Sequence, residues 1–175
     1  TQVCGEVADG MLVHAFTTEK YVRDVTLPAL ETGLAKTGRS RDELELCLPS
    51  FVVSGQDERK WEEVRAATAK QIAFYGSTPA YKPVLDAHGW GDLQGELNRL
   101  SKRGEWDAMG EEITDEILES FAVVAEPAGD RLLQVLRQRA GLAGADHRQA
   151  YRFDARVAAT DAIGLVAAGA VPRLE

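Results

Sequence analysis

Apolar and polar positions recur with different periods along this chain, and the period assigns the elements. Residues 11 to 15, Met-Leu-Val-His-Ala, form an apolar run too short for a helix, entered through the polar turn Asp9-Gly10. The run predicts a buried strand. Thr17 and Thr18 stand as N-cap candidates for a helix over residues 19 to 36. Its inward face would carry Val22, Val25, Ala29, Leu30 and Leu34, three and four residues apart, with Gly38 as a stop. Pro28 falls inside that run and predicts a kink or a split. Ser40-Arg-Asp-Glu43 has capping-box spacing and predicts one helical turn. Leu44, Leu46 and Leu48 then alternate with Glu45 and Cys47, a strand pattern that resumes at Phe51-Val-Val53 beyond Pro49.

After Asp57 the period lengthens again. A helix of about 18 residues would place Trp61, Val64, Thr68, Ile72 and Tyr75 on one face and charges on the other. Gly76-Ser-Thr-Pro79 breaks it and restarts a helix, with Thr78 as N-cap and Pro79 at the first helical position. Gly89-Trp-Gly-Asp92 is a second break, and residues 92 to 120 hold at least two helices, interrupted near Gly104 and Gly110. Phe121 to Ala125 reads as a short strand ended by Glu126-Pro127, and Leu132 to Arg139 as a helix. From Gly141 onward Ala, Gly and Arg dominate and the period dissolves; no solenoid repeat is present. Such alternation belongs to α/β architecture with parallel strands. Two strands are clear and a third is short, against more helix than so small a sheet covers.

Composition narrows the partners. The chain has 175 residues, with 20 Lys plus Arg against 28 Asp plus Glu, a formal charge of −8. That balance opposes non-specific duplex binding, which needs a dense basic footprint, so no nucleic-acid partner is expected. Hydrophobic residues at 45% and charged residues at 27% are those of a globular domain. No apolar run approaches the ~20 residues that cross a bilayer, and Thr1 to Glu6 lacks a basic segment followed by an apolar stretch. Cys4 and Cys47, without a CxxC pair, make neither a disulfide scaffold nor a zinc site. The expectation is an acidic, cytoplasmic protein with no membrane partner.

Recognisable catalytic motifs are absent. No GxGxxG follows a strand, and no GxxxxGK[ST], GxSxG or HExxH occurs. His14, His88 and His147 lack ligand spacing, and no metal site is expected. His14 ends the first strand, where parallel α/β folds place ligands. Two readings stand: a polar group at the mouth of a cofactor cavity, or a strand-end histidine facing solvent or a carbonyl. Tyr75-Gly-Ser77-Thr-Pro-Ala-Tyr81 gathers two phenols and two hydroxyls at a helix start. It is either an anion-binding turn or a well-capped helix with two half-buried tyrosines. Trp61, Trp90 and Trp106 lie in acidic surroundings and read as packing residues rather than stacking platforms. The acidic positions between Glu111 and Glu119 read as a solvated helix face.

Gly5-Glu-Val-Ala-Asp-Gly-Met-Leu-Val-His14 resembles a segment of the luciferase-like monooxygenase superfamily, and within it the F420-dependent oxidoreductase branch. Thr26-Leu-Pro-Ala-Leu30, Gly38-Arg-Ser-Arg-Asp42, Phe51-Val-Val53, Ile72 to Tyr81, His88-Gly-Trp-Gly-Asp92 and Phe121-Ala-Val-Val124 fit the same branch, in order. The resemblance implies a TIM-type (β/α) barrel that binds F420 or FMN, with hydride or monooxygenase chemistry done on the cofactor. A whole barrel takes eight strands and ~250 residues. The expected fold is therefore α/β, a partial TIM-type (β/α) barrel: its C-terminal segment, with two or three parallel strands and a high helix content. Residues 1–127 would be the barrel part, and 128–175 a final helix and a divergent Ala/Gly/Arg-rich tail. Residues 147 to 175 depart from the family pattern and have the composition of a shifted reading frame in a GC-rich gene.

Carried over residue by residue, the resemblance puts His14 and Thr17, in the loop after the first strand, on the cofactor side. It puts Tyr75, Ser77 and Tyr81 near the substrate, and it identifies no catalytic residue. Cys4 stands where relatives have a small residue, which implies a packing role only. The implied function is an F420- or flavin-dependent oxidoreductase or monooxygenase acting on a small organic substrate, in a truncated form whose competence is open. The alternative is a non-catalytic helical oligomerisation or interaction module. Open strand edges favour association, so a homo-oligomer is expected.

Overall fold

A computed structural model describes residues 1–125; the helix expected from Leu132 and the tail beyond it lie outside the described residues. Strands β1 (Gly10–Leu12) and β2 (Glu45–Cys47) pair in parallel, Gly10 opposite Glu45 and Leu12 opposite Cys47. Strands β3 (Phe51–Val53) and β4 (Ala122–Val124) form a second parallel pair, Phe51 opposite Ala122. Only Leu48-Pro49-Ser50 separates β2 from β3. Pro49 has no N–H to donate to a ladder, and there the chain exchanges β1 for β4 as its neighbour.

The crossover from β1 to β2 is a single rod in three parts: α2 (Glu19–Tyr21), a π turn (Val22–Thr26) and α3 (Leu27–Thr37). Helical structure runs unbroken through Pro28, so the chain is not split there. The Leu27 N–H reaches back five residues to the Val22 carbonyl, and the wider turn accommodates a proline that offers no donor of its own. The extra residue rotates the inward face. Val22, Thr26, Leu30 and Leu34 are buried, whereas Val25, expected inside, is 42% exposed. Expectations of regular 3.6-residue spacing fail at that turn for this reason.

Helix α1 (Gln2–Val7), which the hydrophobic pattern does not announce, lies on α3. Gly5 is its one buried residue. A Cβ on Gly5 would stand 2.3 Å from the Leu30 carbonyl oxygen, and one on Gly33 would stand 2.0 Å from that of Gln2. The contact is backbone against backbone, so it leaves no apolar periodicity to read. Val13, Leu30, Leu34, Leu44 and Leu46 form the core between this helix layer and the β1–β2 pair.

The long helix α4 (Glu58–Gly76) begins on Asp57, whose carboxylate accepts the Lys60 N–H at 2.8 Å. The restart after it is a 3-10 turn, Pro79–Tyr81, without a side-chain bond from Thr78, followed by the short helix α5 (Lys82–Asp86). Helices α6 (Gly91–Lys102), α7 (Trp106–Glu111) and α8 (Asp115–Phe121) complete an excursion between α4 and β4. α6 and α7 pack on α4, and α5 on α6. Hence the surplus of helix: these segments bury one another as well as covering β3 and β4. Phe16, Phe51, Ile72, Leu85, Leu97 and Phe121 anchor the larger core they share with β3 and β4. No helix among the described residues is long and apolar enough to cross a membrane.

Candidate functional site

Pairing of β1 continues one residue past its end, with the Val13 N–H on the Cys47 carbonyl at 2.9 Å; the chain then leaves the sheet. His14 is the first side chain beyond it. Its Nδ1 accepts the Phe16 N–H at 3.0 Å, so the neutral ring carries its proton on Nε2. The exposed imidazole stacks on Tyr81, centroids 4.8 Å apart and planes at 22°, and meets the edge of Tyr75 at 4.8 Å and 89°. Below it Phe16 is buried, stacked on Phe121 at 4.5 Å and tilted against Tyr81 at 5.5 Å. Each such ring pair adds about 0.5–1.5 kcal/mol beyond the area it buries.

Three of the five sequence-predicted site residues, His14, Tyr75 and Tyr81, therefore meet in one cluster, although more than 60 residues separate the first from the others. Ser77 is buried at the end of α4, where its hydroxyl donates to the Phe74 carbonyl at 2.7 Å. Its own carbonyl accepts from Gln94 and Asn98, each at 3.0 Å. Those bonds tie α4 to α6 and do not involve the three rings. The Thr17 hydroxyl is buried and has no hydrogen-bond partner among the described residues. Thr17 lines, with Leu48, Pro49 and Ser50, a cleft of about 20 Å³, room for a single water molecule.

The cluster has a definite place on the sheet. It stands at the trailing end of β1 but at the leading ends of β3 and β4, because Tyr75 lies 6.3 Å from Phe51 and Phe16 stacks on Phe121. The carboxyl ends of β3 and β4 have other neighbours. There the Ala125 N–H bonds the Val53 carbonyl, and the Trp61 indole N–H bonds the Ala125 carbonyl, both at 2.9 Å. Sequence reasoning assigned Trp61 to packing alone; nothing local signals a bond spanning 64 positions.

A second constellation lies beside Thr17. A groove of about 460 Å³ runs between α2, the π turn and α8, lined by Thr18, Lys20, Arg23, Asp24, His88 and Glu119 among others. Lys20 pairs with Asp24 at 2.6 Å and Arg23 with Glu19 at 2.8 Å. His88 Nε2 lies 2.8 Å from the Thr18 hydroxyl, and its ring stacks on Trp90 at 4.3 Å and 10°. Burial holds the His88 pKa below the ordinary histidine value; nearby Lys20 pushes the same way, against Glu116 and Asp24.

An arc of parallel strands with helices outside it, and ligand candidates in the loop after a strand, defines a segment of a (β/α) barrel. The chain belongs to the luciferase-like monooxygenase family, whose pattern matches residues 1–147. It is 51% identical over 139 residues to an uncharacterized protein of Mycobacterium tuberculosis, covering 79% of this chain and 40% of that protein. It is 28% identical over 133 residues to the 5,10-methylenetetrahydromethanopterin reductase of Archaeoglobus fulgidus, covering 72% and 38%. The solved structure of the coenzyme F420-dependent tetrahydromethanopterin reductase from Methanopyrus kandleri superposes with a TM-score of 0.63. That match has 21% identity and covers 81% of this chain and 39% of the other. The chain thus spans about two fifths of the length of these relatives. The fold is the expected partial TIM-type barrel.

Proposed function

We propose that this chain is one arc of an F420-dependent oxidoreductase of the luciferase-like family, passing hydride between the deazaflavin and a small organic substrate. The observation that carries this reading is the collinear similarity to a methylenetetrahydromethanopterin reductase, joined to the fold shared with an F420-dependent one. In this reading His14 and Thr17 face the cofactor, and Tyr75, Ser77 and Tyr81 line the substrate side. His14 offers an outward Nε2–H as a hydrogen-bond donor.

The described residues do not by themselves fit a tricyclic ring. His14, Tyr75 and Tyr81 occupy one another's faces, the cleft at Thr17 takes one water, and the larger groove is lined by ion pairs instead of flat apolar walls. The described residues offer the cofactor one edge, at His14 and Thr17, so binding by this arc alone should be weak. FMN is the competing cofactor. The proposal includes a cytoplasmic, homo-oligomeric protein without nucleic-acid or membrane partners.

Titration of the purified chain with F420 and with FMN, followed by cofactor fluorescence, tests it. Saturable binding of F420, weakened by His14→Ala and Thr17→Val, is the expected outcome. A folded chain that binds neither cofactor supports the second reading, an interaction module. That reading is favoured by the exposed apolar side chains of Val3, Val7, Leu12, Phe74 and Trp106.

A further inference from the structure

We infer that His88 is a positioning residue: acting through the hydroxyl of Thr18, it pins the segment from His14 to Thr18 against the helical excursion that carries Tyr81. The segment is held at both ends by one stretch of chain. At one end His14 stacks on Tyr81; at the other Thr18 meets His88. Thr18 is 2% exposed, and its Oγ1 already accepts the Tyr21 N–H at 3.1 Å as the N-cap of α2. A hydroxyl so buried needs an acceptor for its own proton, and His88 Nε2, 2.8 Å away, is positioned to take it. Neutral His88 therefore carries its proton on Nδ1, the opposite tautomer from His14. Trp90, flat against the imidazole, fixes the plane in which Nε2 points. Loss of this bond frees one end of the segment while α2 keeps its cap, so the effect reaches His14 through geometry alone.

Protonation of His88 changes the bond. Both ring nitrogens then donate, and the Thr18 proton loses its acceptor. Lys20 and Asp24 from the rod, the Glu19–Arg23 pair, and Glu116 and Glu119 from α8 are the charges around it. Because the folded pKa lies below the ordinary value of 6.5, the folded state holds fewer protons than the unfolded one near that pH. The contribution is complete above 6.5 and is lost as pH falls through the folded pKa. Any effect on turnover rests on the function proposed above, whereas the pin itself is measured without cofactor, so the two fail separately.

NMR of the intact chain provides the test. His88 should show the Nδ1–H tautomer, and the His14 ring protons should be shifted by the Tyr81 ring current. In His88→Leu and in Thr18→Val those shifts should relax, and amides 14 to 18 should exchange about tenfold faster, the scale of one hydrogen bond. His88→Gln, whose side-chain oxygen accepts the Thr18 proton, should restore most of both. In the unmutated chain the His14 shifts should follow the titration of His88, with a midpoint below 6.5. Either a His14 ring indifferent to His88 titration, or folded His88→Leu with unchanged His14 shifts and exchange, overturns the inference. So does a Gln variant as disturbed as the Leu one.

Discussion

Arg39 illustrates how much one side chain joins. Gly38, at φ 70°, ends α3 in the left-handed region that suits glycine, and the Arg39 N–H then returns to the Leu34 carbonyl at 3.0 Å. From there the guanidinium donates to the carbonyls of Gly5, Ala8 and Glu43 at 3.3, 2.8 and 3.1 Å. It ties the end of α1 to the turn before β2. Charged donors to backbone contribute about 1.5–3 kcal/mol where partly buried, so Arg39→Ala should destabilise by about 2 kcal/mol in urea unfolding. Lys, with no planar fork, should restore only part of this. At this scale His14, Tyr75 and Tyr81 were legible as site candidates, but their mutual stacking was not. Ring contacts between residue 14 and residues 75 and 81 depend on how α4 and the 3-10 turn fold back. Neither Thr17, whose buried hydroxyl has no partner among the described residues, nor Trp61, with its bond to Ala125, carries a local mark of its environment.

Elements repeat the lesson where backbone replaces side chain. α4 was readable from the face running from Trp61 to Tyr75, because its period is regular, whereas its cap on Asp57 was not singled out. The rod from Glu19 to Thr37 was readable in extent but not in phase, since the π turn before Pro28 adds a residue and turns Val25 outward. α1 was not readable at all. Its attachment through Gly5 and Gly33 gives an experiment in which two effects oppose. Helix propensity alone would make Gly33→Ala favourable by about 1 kcal/mol. The new methyl would instead lie 2.0 Å from the Gln2 carbonyl oxygen, and overpacking of that kind costs about 1–3 kcal/mol. The clash should win. Gly33→Ala should lower stability in thermal unfolding and expose residues 1 to 8 to proteolysis; increased stability would show that α1 contributes nothing.

For the molecule as a whole the telling feature is the sheet. Among the described residues, the far edges of β1 and β4 pair with no other strand. Leu12, on the face of β1 turned from the helices, is 74% exposed. Unpaired parallel edges beside apolar side chains favour association. Light scattering after size exclusion should therefore show an oligomer whose population grows with protein concentration, and Leu12→Lys should shift it toward monomer. A compact monomer at every concentration would contradict the expectation of a homo-oligomer.

Apart from α1, the chain by itself determined the order of strands and helices, the barrel class and the family, because these follow from short-range periodicity, caps and collinear motifs. It also marked the loop after β1 and the end of α4 as worth watching. Tertiary structure alone decided which residues meet: the ring cluster, the pin between Thr18 and His88, and the close approach of two glycines. Those contacts join positions tens of residues apart, and local preferences for helix or strand are satisfied whether or not such positions touch.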